Sequence, residues 1–373
     1  MKKNNRKAKK AEAADLTKLK ELAAGSVVIG IDVGDRYSEI CVLDQQGVVV
    51  QRGRIRTEGY AMHEQFAPLA RQRVALETGT HSPWLYAVLT GCGHEVLVAN
   101  ARKVRLITES DKKSDELDAY QLADLARTNP RLLHPIRPRS LGAQQDLAMI
   151  RAREALVETR TGLINHVRGV VKSNGGRLVK CASRGFGARV SQQVPEGLRP
   201  SLAGVLDSLD AVDDEIEGYE CRLEQMAEEK YPETGLLQQV DGVGTITALT
   251  FRLVLDDPYR FTDSRTVGAY VGLVTKRRQS GGRDPELGIS KAGNELLRKL
   301  LVNCAHHILG PMGKDSRLRR WGLKLMARGG KKARKRAATA VARKLAVLLH
   351  HLWVSGEVYE PLRGCEASEA VAV

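Results

Sequence analysis

Residues 26–34 read SVVIGIDVG, an apolar run rich in β-branched residues that ends on glycine. Such a run reads as a buried strand. YSEICVLD (37–44), the turn QQG and VVVQRGRIRT (48–57) predict two further strands of a hairpin. GYAMHEQFAPLAR (59–71) has helical spacing, RVALETG (73–79) reads as a strand, and HSPWLYAVLTGCG (81–93) as a helix ending on glycine. HEVLVAN (94–100) is the next strand, and SDELDAYQLADLAR (114–127) the next helix. Three strands in succession, followed by alternating helix and strand, predict an α/β layer with a mixed sheet.

Beyond this layer the pattern changes. Residues 141–172 are strongly helical, 173–196 are looser, and helix resumes from about Leu198 to Lys230. Two long helices with apolar spacing of three and four fit a coiled-coil hairpin or stalk, and equally a plain bundle. Residues 235–355 read as mostly helical. The expected organisation is a basic extension (1–25), an α/β domain (26–135), a helical coiled-coil region (136–232), a mostly α C-terminal domain (233–355) and a tail (356–373). A chain of 373 residues is longer than one ordinary core serves, which agrees with several domains.

Composition excludes some classes. No uninterrupted apolar run is long enough to span a bilayer, and the basic N-terminus lacks the apolar stretch of a secretory signal. The six cysteines lie far apart and form no C-x-x-C pair, which favours reduced thiols in a cytoplasm over zinc. The nine histidines also lack metal spacing. Lys and Arg number 59 against 44 Asp and Glu, a net charge of +15. Thirteen Lys or Arg and one acid, Asp315, fall between Gly313 and Lys344. General solubility accounts for net charge alone, but clustering of this kind suits a phosphate backbone.

Four acids fall where chemistry could use them. Asp32 ends the first strand, Glu77 ends a later one in V-A-L-E-T-G, and Asp115 and Asp118 lie three apart in K-S-D-E-L-D-A-Y. That spacing places the last two on one helical face. Gathered carboxylates repel one another unless a cation sits between them, and Mg²⁺ prefers hard oxygen donors. One or two such ions would stabilise the oxygens of a phosphoryl displacement. Each piece alone also reads as an ordinary strand end or solvated helix face.

A second cluster surrounds Ser280, which stands between Arg277-Arg278 and Gly281-Gly282-Arg283. The glycines permit close backbone approach to a phosphate, and the arginines could hold its oxygens in a fork. A serine hydroxyl needs activation, and no histidine is near it in sequence. A glycine-rich surface loop is the bland alternative. Ser290 reads instead as the N-cap of the helix that follows. Upstream, LLQQVDGVGTITALTF (236–251) resembles a helix-hairpin-helix, with Gly242 and Gly244 forming the hairpin and Ala248 packing in the next helix. Backbone N–H groups there would grip phosphate without reading bases. The expected nucleic-acid contacts are Lys113, Gly242, Gly244, Lys276, Arg277, Arg278, Arg283, Lys291 and Arg298.

Taken together, G-I-D-V-G, L-E-T-G, K-S-D-E-L-D-A, D-G-V-G-T-I-T-A, R-R-Q-S-G-G-R and L-G-I-S-K-A-G-N-E-L-L-R resemble the DEDD transposases of the IS-one-ten insertion-sequence family, bridge-RNA-guided recombinases. The resemblance implies a ribonuclease-H-like (RuvC-like) N-terminal domain, a coiled-coil region and a C-terminal transposase domain. It implies that Asp32, Glu77, Asp115 and Asp118 hold Mg²⁺ and that Ser280 forms a covalent link to DNA. It further implies donor and target DNA and a structured non-coding guide RNA as partners. A homo-oligomer, dimer assembling to tetramer, with active sites shared between protomers, follows from it too, in a bacterial cytoplasm at the nucleoid. Many relatives carry Ser-Ser-Gly-Gly where this chain has Gln279-Ser280-Gly281-Gly282.

The expected activity is DNA cutting and rejoining during transposition. Three rivals remain. A junction-resolving RuvC-like endonuclease would use metal-activated water. A sugar-kinase or actin-like ATPase also opens on G-I-D-V-G but needs further glycine-rich loops not seen here. A non-catalytic nucleic-acid-binding protein would carry the acids as decoration.

Overall fold

The computed structural model describes residues 15–104, 114–277, 279, 282–283, 285 and 287–363. The chain divides into two compact units, Met1–Gly142 and Ala143–Val373.

The first unit is built on five strands: β1 (Val27–Asp32), β2 (Tyr37–Asp44), β3 (Val49–Arg56), β4 (Arg73–Glu77) and β5 (Glu95–Ala99). Their order across the sheet is β3-β2-β1-β4-β5. The first three form an antiparallel meander, while β4 and β5 run parallel to β1. Helices α1 (Gly59–Phe66), α2 (Ser82–Gly91) and α3 (Asp115–Thr128) complete the unit. α1 is shorter than its sequence pattern, because Pro68 has no N–H to continue the helix.

Strand alternation sorts the apolar residues onto two faces. Val27, Ile29, Ile31, Ile40 and Val42 pack with Met62, Phe66, Leu85 and Leu89 of α1 and α2. Leu16 and Leu19, inside the stretch expected to be a basic extension, are buried in this same core. Val28 and Ala75 pack with Leu122 and Ala126 of α3, and Cys41 and Leu43 with Ala119 and Ala123. The sheet is therefore covered on both sides, and α3 alone contributes a residue row of mostly alanine and leucine to its face.

All but the first two residues of α4 (Leu141–Ser173) belong to the second unit, which continues with a short α5 (Phe186–Val190) and the long α6 (Arg199–Glu229). In α6 the buried residues Leu202, Leu209, Ile216 and Leu223 recur every seven positions. Arg153 of α4 pairs with Glu220, and Arg160 with Asp213 at 2.6 Å. Partners that advance by seven on one helix retreat by seven on the other, so the two helices run antiparallel. Lys230, just past α6, reaches Asp146 of α4 at 2.5 Å.

One core joins the base of this hairpin to the C-terminal helices. Leu147, Ile150, Leu223 and Ala227 lie in the same cluster as residues of α7 (Thr234–Gln238), α8 (Thr245–Leu255), α9 (Val267–Tyr270), α10 (Glu295–Leu309), α11 (Arg317–Ala327) and α12 (Ala333–Ser355). Ala248 of α8 is fully buried in this core. Ser290 is not the cap of α10. Asn294 holds that place, its side chain accepting from the Leu297 N–H at 2.8 Å. Lys291 (φ 53°) and Gly293 (φ 72°) turn the chain first, so the helix cannot start at Ser290. No helix among the described residues is long and apolar enough to cross a membrane.

Candidate functional site

The parallel pairing of β1 with β4 sets Gly30 opposite Ala75 and Ile31 opposite Leu76. Asp32 and Glu77 are the next residues along these neighbouring strands, and both end their strands. Alternation gives them the face that Val28 and Ala75 share, the one covered by α3. At Gly30 an added Cβ would collide with the Ala119 carbonyl and lie 2.7 Å from the Ala123 nitrogen. Glycine at this position thus lets α3 lie against the strand. Asp118 immediately precedes Ala119, the residue whose carbonyl faces Gly30.

Asp118 is 4% exposed, while Asp115, in the first turn of α3, is exposed. Ser114 caps that helix by accepting from the Leu117 N–H. Asp32 and Glu77 are half-buried. The three residues Asp32, Glu77 and Asp118 offer only carboxylate oxygens, the donors a hard divalent cation prefers. Their side chains do not close on a single point: among the described residues no group of three or more His, Cys, Asp or Glu could hold a metal ion.

A fifth acid, Glu39, is the cross-strand partner of Asp32. Burial pushes its carboxyl above the ordinary range, Glu116 adds to that, Arg54 opposes it, and Asp115 raises it further. No motif in the sequence marks Glu39, although the alternation of β2 puts it on the same face as Cys41. The edge strand β3 adds cations on this face. Arg52 lies 3.9 Å from Glu116 and 5.8 Å from the centre of the Tyr120 ring. Arg54 stacks over Tyr37 at 4.7 Å, and Arg56 faces Glu58 at 3.6 Å. Acids at the strand ends and a row of three guanidinium groups beside them make a surface able to meet a phosphodiester.

In the second unit Lys276 and Arg277 are exposed and line a groove of about 1850 Å³, together with Arg317, Lys335, Arg336 and Lys344. Arg283 is exposed nearby in sequence. Gly242 has φ 81°, and an added Cβ there would meet the His307 ring at 2.8 Å. Gly244 is the N-cap of α8. Asp241, beside this hairpin, accepts the Lys314 N–H at 2.8 Å and lies 3.6 Å from His307. The hairpin therefore carries a carboxylate as well as the expected backbone donors. Arg298 acts locally, its Nη1 donating to the Ala292 carbonyl at 2.9 Å and tying down the turn before its own helix. Ser280, Arg278, Gly281 and Lys113 lie outside the described residues.

Residues 29–174 match a DEDD transposase family of the IS110 type, described as "Transposase", and residues 234–319 match the "Transposase IS116/IS110/IS902 family". The chain belongs to the IS110 family of DEDD transposases.

This transposase is 29% identical over 341 residues to the transposase for insertion sequence element IS1111A of Coxiella burnetii, covering 89% of this chain and 91% of that protein. It is 27% identical over 336 residues to the transposase for IS1328 of Yersinia enterocolitica, covering 89% and 98%. The first matched segment takes in Asp32, Glu77, Asp115 and Asp118, and the second takes in the glycine hairpin, the basic loop and Ser280. The two groups of residues singled out by sequence thus fall in the two stretches that define the transposase.

Proposed function

We propose that this transposase cuts and rejoins DNA by transesterification, with Asp32, Glu77, Asp115 and Asp118 as ligands for one or two Mg²⁺ ions and Ser280 as nucleophile. The observation that supports it most is the placement of Asp32 and Glu77 at the ends of adjacent parallel strands, under a helix whose Ala119 rests on Gly30. The strand order β3-β2-β1-β4-β5, antiparallel then parallel, is the arrangement expected of a ribonuclease-H-like domain. When bound, Mg²⁺ would neutralise charge on the scissile phosphate and favour the ionised serine oxygen. Arg52, Arg54 and Arg56 would hold the neighbouring backbone on the same face of the sheet. Arg277, Arg278, Arg283 and Lys291 would counter the charge that develops on the reacting phosphate.

In this reaction the Ser280 oxygen bonds to phosphorus as one P–O bond of the DNA breaks. The serine proton is lost and the departing oxygen gains one. Phosphodiester energy is kept in the protein–DNA ester, so rejoining needs no nucleotide triphosphate. Specificity would come from a structured non-coding RNA that pairs with donor and target DNA, leaving the protein to read backbone and shape. The paired antiparallel helices α4 and α6, with their seven-residue repeat, fit a coiled-coil hairpin through which dimers assemble to a tetramer.

The test is capture of a covalent protein–DNA adduct under denaturing conditions. Wild type should give an adduct and Ser280→Ala none. An adduct that persists in Ser280→Ala, or free 5′-phosphate ends without any adduct in wild type, would replace the serine with another nucleophile or with water.

A further inference from the structure

We propose that the basic groove of the second unit binds an unpaired nucleic-acid strand, its bases laid on an apolar floor and its phosphates on a rim of lysine and arginine. The inference rests on the reading above only in taking nucleic acid as the partner. Two helix faces build the groove. α11 contributes Arg317, Leu318, Trp321 and Leu325, successive turns of one side. α12 contributes Arg336, Ala340, Arg343 and Lys344, then Val347 and Leu348, so its lining face passes from basic to apolar along the helix. Ile289 and Leu287 extend the apolar floor from the loop side.

Size and chemistry narrow the occupant. At about 1850 Å³ the groove exceeds the range of roughly 300–1,000 Å³ usual for small-molecule sites. Among the described residues eleven Lys or Arg line it against two acids, Glu357 and Glu360, so the occupant is a polyanion. A duplex turns its phosphates outward and keeps its bases stacked inside, and it would leave the apolar floor in water. An unpaired strand offers base faces, which stack on aromatic side chains with little regard to sequence. Trp321 and Tyr359 are half-buried aromatics of this lining, and the Lys344 ammonium sits over the Trp321 ring, 4.1 Å from its centre, where a base entering the groove would share the ring with it. Burial and the nearby Arg317 both press the Lys344 ammonium to give up its proton. A phosphate placed there would relieve both pressures, which makes this pair the natural junction of base and backbone.

The experiment uses the full chain and labelled oligonucleotides of about 16 nucleotides. Single-stranded DNA, single-stranded RNA of the same sequence, a blunt duplex and heparin are compared by fluorescence anisotropy. Both single strands should bind more tightly than the duplex and compete with each other, their relative affinities showing which source is preferred. Trp321→Ala should weaken the single strands by roughly 5- to 150-fold and leave the duplex unchanged. Trp321→Phe should restore most of the loss, and Arg343→Glu should weaken every polyanion. Ser280→Ala should keep this binding whatever its effect on adduct formation, which separates failure of the groove from failure of the nucleophile. Because Trp321 also packs on the core, photo-crosslinking of a thiouridine-labelled strand to wild type provides a readout without a variant. Crosslinks should map to residues 317–348. Duplex or heparin displacing a single strand as well as another single strand does, unchanged affinity in a folded Trp321→Ala, or crosslinks confined elsewhere would overturn the proposal.

Discussion

At Gly30 one methyl group separates a docked helix from a displaced one. The position lies on the α3 face, where a Cβ would meet the backbone of Ala119 and Ala123 rather than a side chain that could swing away. Gly30→Ala should therefore cost about 3 kcal/mol or more, at the upper end of overpacking, and lower strand-transfer activity by moving Asp118. Thermal melting and activity measured on the same preparation check this; unchanged values in both would mean that α3 does not rest on β1. His94 makes a second prediction. It is 4% exposed, its Nδ1 accepting from the Gln72 N–H at 3.1 Å while Nε2 faces the Phe66 carbonyl at 3.0 Å. Burial holds its pKa below the ordinary value, against the opposing pull of the Phe66 carbonyl. With the folded pKa depressed, stability is full above about 6.5 and falls as pH drops toward the folded value. Melting curves from about pH 7 down to about pH 5 should show that loss, and His94→Gln should flatten it.

Between α4 and α6 the cross-links repeat with the heptad. Arg160 and Asp213 keep 14% and 12% of their side chains exposed, and Asp213 also accepts the Gly185 N–H at 2.8 Å. Removing the acid strands a guanidinium and a backbone donor together. Asp213→Ala should destabilise the hairpin by about 3–5 kcal/mol, the range for breaking a buried pair. Hydrogen exchange along residues 160–173 and 202–213 reports on it directly, and protection equal to wild type would show that the pair carries little. At this scale most elements were legible in the sequence. β2 occupies the residues expected of it, and β1, β4, β5, α2, α3 and α6 differ by a residue or two. Strong periodicity and terminal glycines or prolines decide such elements locally. The start of α10 was not legible, because the turn at Lys291 and Gly293 packs on the distant Tyr270 carbonyl, where a Cβ on Gly293 would clash.

Across the whole chain the net charge of +15 predicts strong salt dependence in nucleic-acid binding. Plots of log affinity against log salt should be steep, and each phosphate-contacting cation removed should lower the slope by about 0.9. Arg52→Ala, Arg54→Ala and Arg56→Ala each test the edge-strand row in this way; slopes equal to wild type in all three would remove it from the binding surface. The sequence by itself determined the order of elements, the acids at the strand ends, the basic C-terminal stretch and the resemblance to a DEDD transposase family. These are local or compositional properties, readable from periodicity and spacing. Only the tertiary structure decided that Glu39 stands beside Asp32, that Arg52, Arg54 and Arg56 share its face, that Arg298 ties down a turn, and that an apolar floor runs beneath the basic rim of α11 and α12. Each of these depends on sheet register or on which helix faces meet. Register and packing are set by contacts between residues far apart in the chain, which no local pattern records.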